Sequence, residues 1–348
     1  QIQKKIISKL PTQSKSYGEY LMKILITGGA GSIGSNLVKK LVKNKNYEIF
    51  VVDNLWRGKI DYLYLNNKSL IDLKKQFFKL DLTNFNNCLK VTKNIDLVIH
   101  LADIVSGINF VFKSEPFVYR QNLLINSNIL ASSIKNKVKQ ILYVGTACSY
   151  PLEKQSSIST RALSEDEVYP AHPESSYGWS KLMGEYEIDL ANKYGLINSC
   201  ILRLHNVYGP PCDINPKTSQ VIPSLCKKII DSDNGLLEVW GTGTQRRTFI
   251  YVDDVIDAIL LGIKRGFNKG AIQIGSHKSE SIKNIAKKLV KISKKNIKIV
   301  FDKSKPNGDM DRVPNLTKSK KILKWKQKID LDIGLEKTYD WVHNFLKK

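Results

Sequence analysis

A glycine-rich turn between a predicted strand and a predicted helix constrains this chain more than any other feature. The apolar run Lys23–Thr27 leads directly into G-G-A-G-S-I-G, and helical periodicity begins at Ser35. Gly28 permits the tight turn, Gly31 lets backbone N–H groups approach a pyrophosphate, and Gly34 permits close packing of the helix on the strand. The turn therefore predicts a dinucleotide site on a doubly wound parallel α/β sheet.

Asp53 closes the next predicted strand, where dinucleotide sites carry an acidic residue that binds the adenosine ribose. Its carboxylate can accept hydrogen bonds from both ribose hydroxyls and repels a 2′-phosphate, so we expect NAD rather than NADP. Arg57 and Lys59 could pair with such a phosphate, which leaves NADP as the alternative. Further cofactor contacts are predicted at Ser32, Ile33, Asn54, Asp81, Leu82, Leu101 and Ala102.

Short apolar runs alternate with helical periodicity from residue 22 onward, which is typical of β-α-β units. We expect an N-terminal extension over 1–21, a Rossmann-type NAD-binding domain mainly over 22–205, and a smaller α/β substrate lobe mainly over 206–348, with some interleaving. In that lobe, Leu237–Trp240 and Thr248–Val252 are predicted to form a strand pair. Other predicted strands are Lys23–Thr27, Tyr47–Asp53, Phe77–Leu80, Leu97–Leu101, Gln140–Val144 and Ser199–Leu204, and predicted helices include Ser35–Lys43, Asn122–Ile134, Trp179–Lys193, Pro223–Asp231, Ser281–Lys291 and Gly334–Phe345.

Tyr177 and Lys181 open a predicted helix, and their spacing of four places both side chains on one helical face. A tyrosine with its ordinary pKa of about 10 is a weak base, but a neighbouring ammonium favours the phenolate. The pair can then remove a hydroxyl proton as hydride leaves, and Thr146, at a strand end, is placed to bind the same hydroxyl. Without other motifs, Tyr177 and Lys181 could be an ordinary exposed pair on a helix. The predicted dinucleotide site upstream favours a catalytic role instead. His100 and His205 are expected to be structural.

G-G-A-G-S-I-G, Asp53, Thr146 and Y-G-W-S-K together resemble the extended short-chain dehydrogenase/reductase superfamily, in particular its NAD-dependent nucleotide-sugar epimerases and dehydratases. Within it, A-C-S-Y-P, R-L-H-N-V-Y-G-P, N-C-L-K-V-T-K and G-T-G-T-Q-R-R-T-F are similar to the GDP-mannose 3,5-epimerase family. The resemblance covers essentially residues 22–346. It implies a GDP-sugar substrate, an NAD that is reduced and reoxidised within one turnover, and a homodimer formed through the helices near 122–134 and 179–193.

Cys148 falls on the cysteine that these epimerases use for proton exchange at a sugar carbon. Oxidation of C4 to a ketone acidifies the C–H bonds at C3 and C5, which a positioned thiolate can deprotonate. The expected partner lysine is replaced, because Gln220 occupies its position and Lys217 lies three residues earlier. Glutamine cannot exchange a proton at neutral pH. Either Lys217 reaches the site, or a single centre is inverted, or Cys148 serves another chemistry; a plain core cysteine is the remaining explanation.

Other reactions of the superfamily stay open. A UDP-sugar 4-epimerase would need only Thr146, Tyr177 and Lys181. A GDP-4-keto-sugar epimerase/reductase has a similar loop to S-Q-V-I-P-S-L, with histidine where this chain has glutamine, but Asp53 disfavours its NADPH. A 4,6-dehydratase is disfavoured because similar dehydratases carry an Asp-Glu pair directly after the threonine, where this chain has Ala-Cys. A cofactor-binding regulator without catalysis would be expected to lack part of the catalytic set, which is present.

Substrate contacts are implied by the same resemblance. Asn206, Arg247 and Arg312 match residues that bind the diphosphate, and a guanidinium fork suits phosphate oxygens. For Arg247 a surface ion pair is the alternative. Ser106 and Gly107 match the loop that contacts the sugar. The remaining predicted substrate contacts are Cys148, Gln220, Val221 and Trp240.

Composition narrows the partners and the compartment. The net charge of +23 is spread along the chain without an aromatic-interleaved basic stripe, so we expect an anionic small-molecule substrate and no nucleic acid. A nucleic-acid-associated protein is the alternative, and it would bind in a salt-sensitive way. The five cysteines form no C-x-x-C pair, so neither a zinc site nor a disulfide framework is expected, which favours the reducing cytoplasm. No apolar run approaches the ~18 residues that span a bilayer, so no membrane association is expected.

Overall fold

The computed structural model describes residues 21–158, 161–305 and 310–347, so the predicted extension, apart from residue 21, lies outside the described residues. The strands are β1 (Met22–Thr27), β2 (Tyr47–Val52), β3 (Tyr64–Leu65), β4 (Lys68–Ser69), β5 (Phe77–Phe78), β6 (Leu97–His100), β7 (Gln140–Thr146), β8 (Asn198–Leu204), β9 (Asn206–Tyr208), β10 (Leu236–Trp240), β11 (Arg246–Arg247), β12 (Phe249–Tyr251), β13 (Ala271–Ile274), β14 (Glu280–Ser281) and β15 (Lys298–Asp302). The helices are α1 (Ser32–Leu41), α2 (Phe85–Thr92), α3 (Ile108–Lys113), α4 (Glu115–Lys135), α5 (Ser176–Lys193), α6 (Val221–Ile230), α7 (Val252–Arg265), α8 (Ile282–Ser293) and α9 (Leu331–Leu346).

A seven-stranded parallel sheet forms the centre, in the order β13-β8-β7-β6-β1-β2-β5. Its strands are apolar on both faces, as parallel strands covered by helices must be. Ile24 and Ile26 of β1 belong to the core that includes Leu37 of α1 and Ile259 of α7. Leu25, between them, packs into the opposite core with residues of α2, α4 and α5. The predicted doubly wound α/β fold is confirmed.

The strand order reverses between β1 and β6, because the chain adds β2 and β5 on one side and β7, β8 and β13 on the other. In open parallel sheets a crevice forms at the carboxyl ends of the strands at such a reversal. Here it lies between the turn after β1 and the segment that follows β6. This geometry places the glycine-rich turn beside Leu101 and Ala102.

The chain after β8 alternates between the central sheet and a smaller lobe. α7 packs on α1, and β13 pairs with β8 at the sheet edge. The lobe itself contains the mutually packed α6, α8 and α9 and the short sheet β10-β15. Within the described ranges, no helix is both long and apolar enough to cross a membrane.

The predicted pairing of Leu237–Trp240 with Thr248–Val252 is wrong. β10 pairs in parallel with β15, whereas β12 pairs in parallel with β9. The chain between the two strands turns at Gly241 and Gly243, both with positive φ, and this turn separates them. Val252 does not extend β12, because it is the first residue of α7.

Candidate active site

A cavity of about 790 Å³ occupies the crevice and extends between the sheet and the smaller lobe. Every residue that the sequence assigned to the site lines it. On the side of the central sheet these are Gly28, Gly31, Ser32, Ile33, Gly34, Asp53, Asn54, Asp81, Leu82, Leu101, Ala102, Thr146, Cys148, Tyr177 and Lys181. On the side of the lobe and its loops they are Ser106, Gly107, Asn206, Lys217, Gln220, Val221, Trp240, Arg247 and Arg312.

The glycine-rich turn is too tight for side chains at its last glycine. A Cβ on Gly34 would lie 2.3 Å from the Gly28 carbonyl oxygen, so helix α1 can start against the turn only with glycine there. The N-terminus of α1 consequently faces the cavity through Ser32 and Ile33, where its free N–H groups suit a pyrophosphate. The cradle fits a dinucleotide.

Asp53 is held at the edge of this cradle. Its carboxylate accepts hydrogen bonds from the backbone N–H groups of Ala30 (3.0 Å) and Leu55 (2.8 Å), and the residue is 8 % exposed. Burial raises the pKa of Asp53, and these two N–H donors oppose the rise. The carboxylate is thereby held in place at the edge of the cavity, with one oxygen hydrogen-bonded to the glycine-rich turn.

His100 supports the other wall of the crevice and does not line it. Thr27 Oγ1 accepts from the N–H groups of Leu101 and Ala102, each at 3.0 Å, so its own hydrogen is available for His100 Nδ1 at 2.7 Å. His100 Nε2 lies 3.0 Å from Asn126 Oδ1, which a proton on that nitrogen explains. Burial lowers the pKa of His100 to about 3, so the ring is neutral and has a structural role.

Tyr177 and Lys181 stand one turn apart at the start of α5, whose N-cap Ser175 accepts from the Gly178 N–H. Burial raises the pKa of Tyr177 well above its ordinary value, whereas a hydrogen bond with Thr146 lowers it. The Lys181 ammonium lies 3.1 Å from Oδ2 of Asp103, and the two side chains are 4 % and 5 % exposed. The predicted pair is therefore part of a larger buried group.

Cys148 follows β7 in the same wall. The Cys148 N–H donates to Thr146 Oγ1 at 3.2 Å, and a Cβ on Gly178 would lie 2.2 Å from the Cys148 carbonyl oxygen, so only glycine lets α5 pack this closely. Arg312 holds the segment from the lobe side, with Nη1 donating to the Ala147 carbonyl at 2.5 Å and Nη2 lying 3.7 Å from Cys148 Sγ.

Cys148 differs from the other four cysteines, all of which lie in the described part of the chain. Those four are buried, whereas Cys148 is partly exposed and lines the cavity. Burial raises the pKa of the Cys88, Cys200 and Cys212 thiols to about 12 and that of Cys226 further, so these four remain thiols at neutral pH. Cys148 is therefore the cysteine with access to a ligand.

The lobe side of the cavity carries the predicted substrate contacts. Lys217 and Gln220 are exposed and lie on the loop before α6, with Gln220 as the N-cap position of that helix. Trp240 Nε1 donates to Glu238 Oε1 at 3.0 Å at the end of β10. Arg247 Nη1 donates to the Arg246 carbonyl at 2.7 Å. The structure thus brings Lys217 and Gln220 to the same cavity.

Three loops meet over the cavity. Arg57, after β2, donates through Nε to Asp213 Oδ2 at 3.2 Å and through Nη1 to the Val105 carbonyl. Asp213 also accepts from Thr218 Oγ1 at 2.6 Å, and the Thr218 carbonyl accepts from the Gly107 N–H at 3.1 Å. These contacts tie the loop beside Asp53 to the predicted sugar loop and to the loop that carries Lys217.

Sequence reasoning missed Asp103 and Asp213. Asp103 directly follows Leu101 and Ala102 at the end of an apolar strand, and an acidic residue in that position was the available signal. Asp213 carried no such signal, because its partner Arg57 lies far away in the sequence and was considered only as a phosphate ligand.

Comparisons with known proteins identify the family. The profile of the NAD dependent epimerase/dehydratase family matches residues 24–275. GDP-mannose 3,5-epimerase of Arabidopsis thaliana is 29 % identical over 327 residues, which are 94 % of this chain and 84 % of that protein. A putative UDP-glucose 4-epimerase of Methanocaldococcus jannaschii is 32 % identical over 329 residues, 92 % of this chain and 98 % of that protein.

A solved structure gives the same result. UDP-glucuronic acid 4-epimerase of Bacillus cereus, in complex with UDP-glucuronic acid and NAD, superposes with a TM-score of 0.79 at 29 % identity, covering 93 % of this chain and all of that one. The predicted resemblance to short-chain dehydrogenase/reductase-type epimerases is confirmed. The chain belongs to the NAD dependent epimerase/dehydratase family.

Proposed function

We propose that this protein is an NAD-dependent epimerase of a nucleotide sugar, with a GDP-sugar of the GDP-mannose type as substrate. The observation that carries the proposal is the position of Cys148. Its thiol lines the same cavity as Tyr177 and Lys181, two residues beyond Thr146, and a guanidinium of Arg312 lies 3.7 Å from the sulfur. A redox pair and an accessible thiol in one cavity fit oxidation at one sugar carbon with proton exchange at a neighbouring carbon.

The first step is removal of the C4 hydroxyl proton. Thr146 binds the hydroxyl, and Tyr177 takes its proton as the C4–H bond breaks. A bound NAD would accept the hydride and return it at the end of the turnover. The cradle at Gly31 to Gly34 and the Asp53 carboxylate would hold this cofactor. Tyr177 then returns the proton when C4 is reduced again.

Proton exchange follows while C4 is a ketone. The Cys148 thiolate removes the acidified proton at C3 or C5, and delivery of a proton from the other face inverts the centre. A negative charge on the sulfur would face the Arg312 guanidinium. Lys217 is the cation on the substrate loop that could supply the second proton, whereas Gln220 cannot. Inversion of even one centre requires such a donor on the other face, because Cys148 alone would return the proton to the face from which it came and would give exchange without inversion.

Heavy water tests this proposal directly. The purified protein is incubated with GDP-mannose in heavy water without added NAD, and deuterium at C3 and C5 is followed by NMR and mass spectrometry. We expect incorporation that is lost in Cys148→Ala and kept in Cys88→Ala, which removes a buried thiol outside the cavity. Lys217→Met then shows whether Lys217 supplies the proton from the other face, and Gln220→Ala, which should keep the incorporation, is its control. Incorporation that persists in Cys148→Ala would contradict the role of this thiol.

A UDP-sugar 4-epimerase is the second candidate, and Gln220 favours it. Such an enzyme needs no proton exchange at carbon, so a glutamine at this position is harmless. The similar protein of Methanocaldococcus jannaschii is named as a putative UDP-glucose 4-epimerase, and the solved structure from Bacillus cereus as a UDP-glucuronic acid 4-epimerase. Both names support this candidate. Conversion of UDP-glucose to UDP-galactose without solvent deuterium at C3 or C5, unchanged in Cys148→Ala, would establish this function in place of the first.

The proposal includes a homodimer. α4 and α5 pack against each other, and their outer faces expose Phe117, Tyr119, Tyr186 and Leu190. Large apolar side chains exposed on this helix pair support a subunit interface there. We expect a dimer in sedimentation analysis, and charged substitutions at Tyr186 and Leu190 should produce a monomer.

A further inference from the structure

The loop before helix α6 contains a buried hydroxyl that the proposed mechanism does not use. Ser219 lines the cavity one residue before the N-cap of α6, and the residue is 9 % exposed. Among residues 21–158, 161–305 and 310–347, the structure gives its Oγ no hydrogen-bond partner. A buried hydroxyl without a partner costs free energy, so a ligand that supplies a partner is favoured at this position.

The backbone around Ser219 is held on both sides. The Ser219 N–H donates to the Asn215 carbonyl at 2.8 Å. The carbonyl of the preceding residue, Thr218, accepts from the Gly107 N–H at 3.1 Å and from the Ser106 hydroxyl at 3.0 Å. A Cβ on Gly107 would lie 2.6 Å from the Ser219 carbonyl oxygen, so glycine is needed for this close contact. Ser219 is therefore fixed against the predicted sugar loop, and only its hydroxyl is free to turn.

The loop that holds Ser219 leads directly to the redox pair. Residues 103–107 all line the cavity, and Asp103 Oδ2 lies 3.1 Å from Lys181 Nζ. The four residues from Asp103 to Gly107 span at most about 14 Å. The wall that carries Ser219 is thus continuous with the wall that carries Lys181, and a sugar that reacts at Tyr177 lies beside both.

The chemistry of this position favours a sugar hydroxyl over a phosphate. A serine hydroxyl both donates and accepts hydrogen bonds, as a sugar hydroxyl does, and it carries no charge. The N-terminus of α6 would attract a phosphate, but its third residue is Pro223, which has no N–H. The next N–H, that of Ser224, already donates to the Gln220 carbonyl at 3.0 Å. This helix therefore offers an anion fewer donors than a regular helix start.

We propose that Ser219 is a specificity-determining residue whose hydroxyl forms a hydrogen bond with a hydroxyl group of the sugar in a bound nucleotide sugar. Rotation about the Cα–Cβ bond turns Oγ towards the ligand while the backbone stays in place. The contact rests on the proposed function, because it needs a nucleotide sugar in the cavity, and it serves a GDP-sugar and a UDP-sugar alike. The lack of a protein partner for the hydroxyl does not rest on that function.

Isothermal titration calorimetry with GDP-mannose, UDP-glucose, GDP and UDP tests the contact. For the nucleotide sugar that binds to the wild type, we expect Ser219→Ala to weaken binding about 3- to 10-fold, which corresponds to the loss of one hydrogen bond. Affinity for the matching nucleoside diphosphate, which lacks the sugar, should stay within about twofold of the wild type. An equal loss for both ligands would place the contact at a phosphate and overturn the proposal.

Deoxy analogues of the bound sugar then identify the hydroxyl group. In the wild type, the analogue that lacks the contacting hydroxyl should bind about 3- to 10-fold more weakly than the parent nucleotide sugar. In Ser219→Ala this analogue and the parent should bind equally, because the partner of the hydroxyl is already gone. If every deoxygenation costs the same in Ser219→Ala as in the wild type, no sugar hydroxyl contacts Ser219 and the proposal is wrong.

Thermal unfolding of the ligand-free protein separates this role from a structural one. Ser133, a fully buried serine outside the cavity, is the matched control, and its Oγ donates to the Ile129 carbonyl at 2.6 Å. Ser133→Ala loses this hydrogen bond and should lower the melting temperature without changing ligand affinity. Ser219→Ala removes a hydroxyl that has no partner, so the melting temperature should stay unchanged or rise. An equal decrease in both variants would show that the Ser219 hydroxyl serves the fold, and this result would overturn the proposal.

The binding data also distinguish failure of this proposal from failure of the proposed function. A nucleotide sugar that binds equally to the wild type and to Ser219→Ala would contradict only the contact with Ser219. If neither GDP-mannose nor UDP-glucose binds to the wild type, the proposed function is contradicted, and the sugar contact of Ser219 is contradicted with it.

Discussion

The two halves of the cavity are built in different ways. On the cofactor side, Asp53, Thr146 and Lys181 stand at strand ends or on a helix of the central sheet, and all three are buried. On the substrate side, Lys217 and Gln220 are exposed on a loop. The same ligand cavity thus joins a rigid wall, fixed by a seven-stranded sheet, to a wall of loops and short strands.

In the proposed mechanism, this difference separates the redox step from the choice of substrate. Redox chemistry needs groups held in place to a fraction of an ångström, and packed strands and helices provide this. Loops tolerate substitution, so they can accommodate another base or sugar while the redox wall is unchanged. Similar proteins named as acting on GDP- and UDP-sugars are consistent with this division.

The largest expected effect comes from the rigid wall. Tyr177→Phe removes the hydroxyl to which the proposed mechanism assigns proton transfer, without changing the shape of the ring, and we expect turnover of any substrate to fall by about 10²–10⁴-fold. Cofactor binding should be retained, because the cradle is untouched. The measurement is kcat with the sugar that proves active, together with bound NAD after purification.

Tyr194→Phe is the matched control. Tyr194 follows the same helix and is 72 % exposed, so its hydroxyl can be removed without touching the cavity. Turnover should stay within twofold of the wild type, on the order expected for a surface substitution. If Tyr177→Phe keeps wild-type turnover, Tyr177 is not the proton-transferring residue, and the assignment of the chemistry to the cofactor side of the cavity is wrong.

The next effect concerns the cofactor. In Asp53→Asn we expect NAD affinity to fall about 10- to 100-fold, because a charged hydrogen-bond acceptor for the ribose is lost, while NADP binding falls less. The ratio of the two dissociation constants cancels general damage to the fold. An unchanged ratio would show that Asp53 does not select the cofactor.

Acid should mimic this substitution in the wild type. Because burial raises the pKa of Asp53, its carboxylate is protonated at a higher pH than an exposed aspartate as the solution is acidified. NAD affinity is therefore expected to decrease with falling pH and to depend less on pH in Asp53→Asn. Titration of affinity against pH for both proteins checks the sign.

The rigid half was predictable from the sequence because its signals are local. The turn after β1 combines a strand, four glycines and a helix within a few residues, and the backbone geometry admits few other side chains. Tyr177 and Lys181 share one helical face by their spacing alone. Asp53 could be assigned to the site from its position at the end of the next predicted strand. Each of these elements is specified by neighbours in the chain.

The remainder depends on contacts between distant segments. β10 pairs with β15, and β13 returns to the central sheet after α7; neither neighbour is adjacent in the sequence. Asp103 follows strand β6, and Lys181 lies near the start of helix α5. Only the order of the strands in the sheet brings the two side chains of this ion pair together. Hydrophobic periodicity predicts the type of a segment but not the segment with which it pairs. These contacts could therefore be identified only from the three-dimensional structure.

The smallest expected effect tests whether the two halves are independent. Asp213 links Arg57, beside the cofactor cradle, to Thr218 on the substrate loop. The pair with Arg57 is partly exposed, so its loss in Asp213→Asn should cost about 1 kcal/mol or less, equivalent to about fivefold in affinity. Asp257→Asn, which breaks an ion pair with Lys328 outside the cavity, is the control.

Whether Asp213→Asn changes KM, the rate of NAD release or both shows whether the two sides of the cavity act independently. If the loops serve only the substrate, KM should rise while the rate of NAD release stays at the wild-type value. If Arg57 closes both walls as one unit, both quantities should change by a similar factor in Asp213→Asn and neither in Asp257→Asn. The second outcome would mean that substrate loops also retain the cofactor, because the Arg57 guanidinium reaches both the Val105 carbonyl and Asp213. The two walls would then differ in their role in the chemistry, but both would contribute to binding of the cofactor and of the substrate.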